Sequence, residues 1–242
     1  MSSGIYVERL RVVLVGTRNP LNIGAAARAM SNFGFVHLRV VNAYEVAFRE
    51  ARSAMRAASL LKRAQQFSTI AEAVADCSLI VGTAGRDSEA PGPVRRLEQG
   101  ARLIRAQLAN GPVALLFGSE KTGLSNEELS YCHWTMRIPT REEHVSMNLG
   151  QAVAVCLYEL IRSGRAEPVR SAATCARAAE VDRLTEVLLD ALRTSGYVKA
   201  RTAASTEQKV RRLVRRLKLT PADAELLTGM LRQVCWKLHS AD

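Results

Sequence analysis

The chain has 242 residues, 48% of them hydrophobic and 24% charged, with a formal net charge of +11. That length allows one large domain, or a domain with a small appendage, and enough apolar content for a sizeable core. The charge favours a polyanionic partner, nucleic acid before an anionic membrane surface, and no apolar run approaches the roughly 20 residues that span a bilayer.

Residues 10–15 read as a buried, valine-rich strand of the kind parallel sheets require, ending at Gly16. A polar loop through Asn22 follows, and then an alanine-rich helix over 23–33 that stops at Gly34. The next expected elements are a strand at 38–41, an alanine-rich helix over 46–66, a short helix at 70–75 and a strand at 77–81 running into Gly82–Thr83–Ala84–Gly85. Residues 86–94 have loop composition, 95–109 are helical, and Val113–Phe117 is another apolar strand. It ends at Gly118, with a second glycine at Gly123; Ser125 then opens a helix with Glu128 as its capping-box partner. A strand at 134–138, a polar loop over 140–148 and a strong helix at 151–161 complete a strand–helix alternation. That alternation predicts an α/β fold with a mostly parallel sheet and helices on both faces. Residues 162–176 read as a linker, and three helices follow, at 177–195, at 207–219 and after Thr220–Pro221 with Asp223 in the cap.

Five cysteines without C-x-x-C spacing and four histidines without ligand spacing argue against a disulfide framework or a metal site, so no metal is expected. The start lacks the n- and h-regions of a signal peptide, so the expected compartment is the cytoplasm, with no membrane contact. No Walker A motif, GxGxxG or Ser/His/Asp spacing occurs. What remains is three small-residue loops after three strands: 82–85, 118–123 and 140–148. If those strands are neighbours, the loops share one pocket. Asn22 and Arg28 flank the first strand-to-helix turn, where an arginine suits a phosphate or a developing negative charge. Glu120 could orient a ligand hydroxyl or an arginine, or be solvated. Ser146 and Asn148 could cap a helix or bond a hydroxyl nucleophile. Residues 209–218 hold six basic side chains and no acidic one, among them Lys209, Arg211, Arg212, Arg215 and Arg216. Such a face suits phosphate-backbone contact.

Taken together, N-x-G-A-A-A-R-A-M at 22–30, F-G-S-E-K-T-G-L-S-N-E-E-L at 117–129 and I-P-T…S-M-N-L at 138–149 resemble the three motifs of the SPOUT-class RNA 2′-O-ribose methyltransferases. The resemblance is closest to the TrmJ type of tRNA methyltransferase, whose members carry a basic helical extension, and it covers nearly the whole chain. Ser146–Met147–Asn148 stands where the family commonly has Ser-Leu-Asn.

The resemblance implies a deep C-terminal trefoil knot over about 113–160 within a methyltransferase domain at 1–162, a linker at 163–176 and a small all-α RNA-binding extension at 177–242. It further implies S-adenosyl-L-methionine as cofactor, held by Thr83, Ala84, Gly85, Gly118, Ile138, Val145, Ser146 and Met147, and a homodimer. Arg28, Asn22, Glu120, Ser146 and Asn148 take the catalytic positions. Arg18, Lys209, Arg211, Arg212, Arg215 and Arg216 face RNA. The implied substrate is tRNA at cytidine or uridine 32 of the anticodon loop. An rRNA 2′-O-methyltransferase and a non-catalytic RNA-binding module are the alternatives.

Overall fold

The structure is a computed structural model describing residues 3–42, 49, 58–85, 92–141, 143, 146–162 and 175–240. Its strands are β1 (Leu10–Val15), β2 (His37–Val41), β3 (Gln65–Phe67), β4 (Leu79–Thr83), β5 (Val94–Arg96), β6 (Val113–Phe117) and β7 (Trp134–Arg137). They form one sheet in the order β3-β2-β1-β6-β4-β7-β5, and every pairing is parallel. The helices are α1 (Ser3–Arg9), α2 (Pro20–Asn32), α3 (Ala58–Arg63), α4 (Ile70–Val74), α5 (Leu97–Leu108), α6 (Asn126–Ser130), α7 (Leu149–Ile161), α8 (Ala178–Thr194), α9 (Ala203–Arg216) and α10 (Pro221–His239).

Successive strand side chains point to opposite faces, and the core divides accordingly. Val12, Leu14, Val40, Leu115 and Phe117 face one layer, packed against Ile23 and Met30 of α2, Ile104 of α5 and Val153 and Leu157 of α7. Val13, Val15, Ile80, Ala114 and Leu116 face the other, against Ile70 and Val74 of α4 and Leu129 of α6. Central strands covered on both faces need the continuous apolar runs that the sequence shows at 12–15 and 113–117.

The sheet edges depart from expectation. Gln65 and Gln66, expected as the end of a long helix, belong with Phe67 to β3 and pair with β2, while about half of the expected helix at 46–66 lies outside the described residues. Val94–Arg96 forms β5, so α5 begins at Leu97 rather than 95. Both edges are three-residue strands with mostly exposed side chains, which limits pairing with another chain. One end of the sheet is tied by Asp76, which accepts from Arg39 Nη2 (3.0 Å) and Arg11 Nε (3.2 Å). Burial opposes its ionisation, but Arg39 and then Arg11 hold its carboxyl well below the usual range.

Most of the expected linker, 163–174, lies outside the described residues. Helices α8, α9 and α10 surround their own cluster of Val181, Leu184, Leu189, Val210, Val214 and Ala224. They also dock on the sheet layer. The first turn of α8 donates from Ala178 N to Cys77 O (2.8 Å) and from Ala179 N to Ala75 O (3.2 Å), so backbone donors that a helix start leaves unpaired meet carbonyls at the end of α4. The expected apolar face of α9 is narrower than its spacing implies: Val210 and Val214 are buried, but Leu213 and Leu217 are exposed.

Candidate active site

The loop between β6 and α6 is built on two glycines. Gly123 has φ +67°, a conformation that L side chains rarely adopt. A Cβ on Gly118 would lie 2.1 Å from Gly123 C and 2.3 Å from Leu124 N, so only glycine fits where the loop folds back. Gly123 N donates to Ser119 O (2.9 Å), and the hydroxyls of Ser119 and Thr122 are 2.8 Å apart. Ser125 then caps α6 in a reciprocal box: Ser125 N donates to Glu128 Oε2 (2.6 Å), and Glu128 N to Ser125 Oγ (3.2 Å).

Strand order places β4 between β6 and β7, so the three small-residue loops do lie side by side. They enclose a cavity of about 460 Å³. Thr83, Ala84 and Gly85 line it from β4, Gly118 from β6, Ile138 beyond β7, and Ser146 and Met147 from the segment before α7. Of the residues expected to hold the cofactor, only Val145 lies outside the described residues. The sequence reading missed Phe117, Thr122, Met136, Thr140, Leu149 and Ala152, which also line the cavity. Thr140 could have been found from I-P-T; Met136, Leu149 and Ala152 look like ordinary core positions in a strand and a helix. The volume lies in the ~300–1,000 Å³ range of small-molecule sites, mostly apolar with a few placed polar groups. Apolar walls and a glycine floor that a Cβ would fill suit a flat nucleoside approached closely by backbone.

A polar chain crosses the rim. Asn148 Oδ1 accepts from Gly150 N (3.0 Å) and Gln151 N (3.4 Å), the first free donors of α7. Its amide is thereby oriented, and Asn148 Nδ2 donates to Asn22 Oδ1 (2.9 Å). Asn22 Nδ2 in turn donates to Glu120 Oε1 (3.0 Å). Each amide can satisfy this chain in only one orientation, because a carboxylate only accepts and a helix start only donates. Three expected catalytic residues, from three separate motifs, are thus joined.

Arg28 and Ser146 are exposed and outside this chain; among the described residues nothing pairs with the Arg28 guanidinium. The expected start of this helix at 23, after a loop through Asn22, is corrected: Asn19 is the cap, its Oδ1 accepting from Leu21 N (2.9 Å), and α2 begins at Pro20. Asn22 therefore sits in the first helical turn, with Arg28 about 9 Å further along the axis.

No nucleophilic thiol is available nearby: burial pushes Cys132 and Cys156 up to about 12. Half-buried His133 is pushed down to about 3, by burial first and then by Arg215, and its Nδ1 accepts from Ile80 N (3.0 Å). It is a neutral structural residue.

The SpoU rRNA methylase family matches residues 9–158, more than half of the chain. The chain belongs to this family. Among SpoU-family relatives, the tRNA (cytidine/uridine-2′-O-)-methyltransferase TrmJ of Sodalis glossinidius is 33% identical over 235 residues, covering 94% of this chain and 92% of its own. TrmJ of Escherichia coli O6:K15:H31 is 32% identical over 235 residues, covering 94% and 96%. The crystal structure of TrmJ from Z. mobilis ZM4 superposes with a TM-score of 0.80 at 30% identity, covering 93% of this chain and 98% of that one. A probable methylase family protein from Haemophilus influenzae Rd KW20 has a TM-score of 0.57 at 27% identity, covering 98% and 100%.

The basic residues of this SpoU-family chain divide into two groups. Arg18, Lys209 and Arg216 are exposed and Arg212 is half-buried. Arg211 and Arg215 do not share that face. The Arg211 guanidinium lies 4.4 Å from the Tyr131 ring centroid, and its Nη1 donates to Ser130 Oγ (3.0 Å). Arg215 is 1% exposed, its Nη2 donating to Asp182 Oδ1 (2.6 Å). The expectation that Arg215 faces RNA is corrected: its charge is spent inside the protein, on an acid from α8.

Proposed function

We propose that this protein is an S-adenosylmethionine-dependent tRNA 2′-O-ribose methyltransferase acting on cytidine or uridine 32 of the anticodon loop. The observation that carries the reading is the rim of the cavity, where Asn22, Glu120 and Asn148 from three motifs form one hydrogen-bonded chain, with Arg28, unpaired among the described residues, on the same helix as Asn22. The names of the TrmJ relatives supply the substrate class, and the exposed cations of α9 support a polyanion.

When bound, the cofactor supplies a methyl group already activated on a sulfonium. The chain's own task is to bring a weak nucleophile, the ribose 2′-oxygen, into line and exclude water. Thr83, Ala84, Gly85, Gly118, Ile138, Ser146 and Met147, together with Val145, which lies outside the described residues, would hold the cofactor, mainly through backbone and apolar walls. Arginine stays protonated in proteins, so Arg28 clamps the neighbouring phosphate and stabilises the developing alkoxide. Glu120, with one oxygen engaged by Asn22, offers the other to a substrate hydroxyl, and Ser146 sits where it can bond the nucleotide.

In the same reading the chain over about 113–160 forms a trefoil knot. This is supported by β6 lying between β1 and β4 and by α7 returning across α2. A homodimer is supported by large apolar side chains left exposed on the adjacent helices α2 and α7, Leu21 and Tyr158.

Incubation of the purified protein with S-adenosylmethionine and unmodified tRNA or rRNA fragments tests the proposal. Methylation of a tRNA ribose is expected. Transfer to rRNA alone, or to neither, would refute it.

A further inference from the structure

Helix α9 carries two kinds of cation. Lys209, Arg212 and Arg216 form no ion pair among the described residues, and Arg212 and Arg216 are one turn apart. Arg216's like charge, after burial, lowers the Arg212 pKa, as expected of neighbouring cations with no anion between them.

Arg211 and Arg215 point back into the protein. Arg211 covers Tyr131 and bonds Ser130 Oγ, which itself donates to Glu127 O (2.6 Å). Arg215 crosses to Asp182 on α8. That buried pair is poorly matched: Arg215 Nε and Nη1 and Asp182 Oδ2 have no hydrogen-bond partner among the described residues. A buried pair with unmatched polar atoms contributes little net stability, and an apolar pair of similar volume would often do as well. What it does supply is a fixed orientation of α9 against α8, while Arg211 fixes α9 against α6.

Helix α6 is the element that gives this arrangement a consequence. Its cap, Ser125, directly follows the cavity loop that ends at Leu124, and the segment after it becomes β7, which carries Met136 to the cavity wall, with Ile138 just beyond the strand. One short helix is therefore joined at both ends to cavity walls and touched on its side by the basic helix.

We infer that Arg211 and Arg215 are positioning residues: they hold the RNA-gripping face of α9 in register with the cofactor cavity through α6 and α8, and they do not bind phosphate. The inference rests on the RNA methyltransferase reading above. A tRNA held by Lys209, Arg212 and Arg216 presents its ribose correctly only if that face is fixed relative to the cavity, and a misplacement of about 1 Å can cost ~100-fold in rate.

The test uses the full chain, a tRNA transcript and S-adenosylmethionine, with tRNA affinity measured across a salt series. Arg212→Gln and Arg216→Gln are each expected to lower the slope of log affinity against log salt by about one, as the loss of a phosphate contact does. Arg211→Gln and Arg215→Met are expected to leave that slope and cofactor affinity unchanged while lowering kcat about tenfold or more. If Arg215→Met does not fold, Arg211→Gln carries the same comparison, as does Asp182→Leu/Arg215→Met, which strands no charge. A slope reduced by about one in Arg211→Gln or Arg215→Met would overturn the inference, as would an unchanged kcat in both. If Arg212→Gln and Arg216→Gln change neither affinity nor slope, the RNA-binding role of α9 falls instead, and the inference with it. Methylation that persists in those two variants would still leave the enzyme assignment standing.

Discussion

Substituting Gly118 by alanine adds a single methyl group to the cavity floor. That methyl would sit 2.1 Å from Gly123 C, 2.3 Å from Gly123 O and 2.3 Å from Leu124 N. All three are backbone atoms, so no side-chain rotation relieves the overlap. The loop must open by more than 1 Å to reach ordinary contact distances. Opening breaks the Gly123 N to Ser119 O bond and separates Ser119 from Thr122. Two hydrogen bonds at a net ~1 kcal/mol each, with overpacking of comparable size, put the destabilisation at about 2–4 kcal/mol. In a domain of this size that lowers Tm by roughly 4–16 °C. The same displacement moves the cavity floor against the cofactor, so affinity should fall at least tenfold. Calorimetry with S-adenosylmethionine, alongside thermal unfolding, measures both. Gly24→Ala is the control: it lies in α2, its added Cβ meets nothing within 4 Å, and it should leave cofactor affinity unchanged and stability equal or slightly higher. Cofactor affinity in Gly118→Ala within twofold of the natural protein would refute the close-approach argument.

Asn148→Asp keeps an oxygen to cap α7 but loses the donor to Asn22, so melting should be nearly unchanged while turnover falls tenfold or more. Asn148→Ala loses both, adding about 1 kcal/mol of destabilisation; equal turnover in the two natural-like cap states, Asn and Asp, would show that the chain is only structural. Arg28→Ala should abolish turnover with cofactor binding near normal by calorimetry, and full activity would remove Arg28 from the mechanism. His133 has a folded pKa depressed to about 3, so the unfolded chain binds its proton first as pH falls. Its contribution is complete above the unfolded pKa of about 6.5 and declines below it, by about 1–2 kcal/mol between pH 6.5 and 5. Denaturant unfolding of His133→Asn should show a shallower acid decline than the natural protein, and parallel declines would contradict this.

The parts of the molecule that were readable from sequence are those where local chemistry and tertiary demand coincide. The valine- and leucine-rich runs at 12–15 and 113–117 mean strands buried on both faces, and Ser125 with Glu128 and Thr220 with Asp223 announce helix starts that the structure has. The adjacency of the three small-residue loops is not readable, because it depends on β6 and β7 flanking β4, which no local pattern encodes. Gln65–Phe67 and Val94–Arg96 are strands only because a neighbour pairs with them; three mostly exposed residues carry no periodicity of their own. The Asn19–Pro20 start of α2 was signalled by cap and proline, yet the alanines further on drew the boundary inward. Arg215 looked like its neighbours because its partner, Asp182, lies on a different helix, 33 positions earlier. A basic stretch read alone cannot distinguish a cation offered to solvent from one already paired.

The central claim is tested most directly by mass spectrometry of tRNA from a strain lacking this protein, before and after its gene is restored. Loss of the 2′-O-methyl mark at pyrimidine 32, and its return with the natural chain but not with Arg28→Ala, is the predicted result. A mark that persists in the deletion strain would contradict the account.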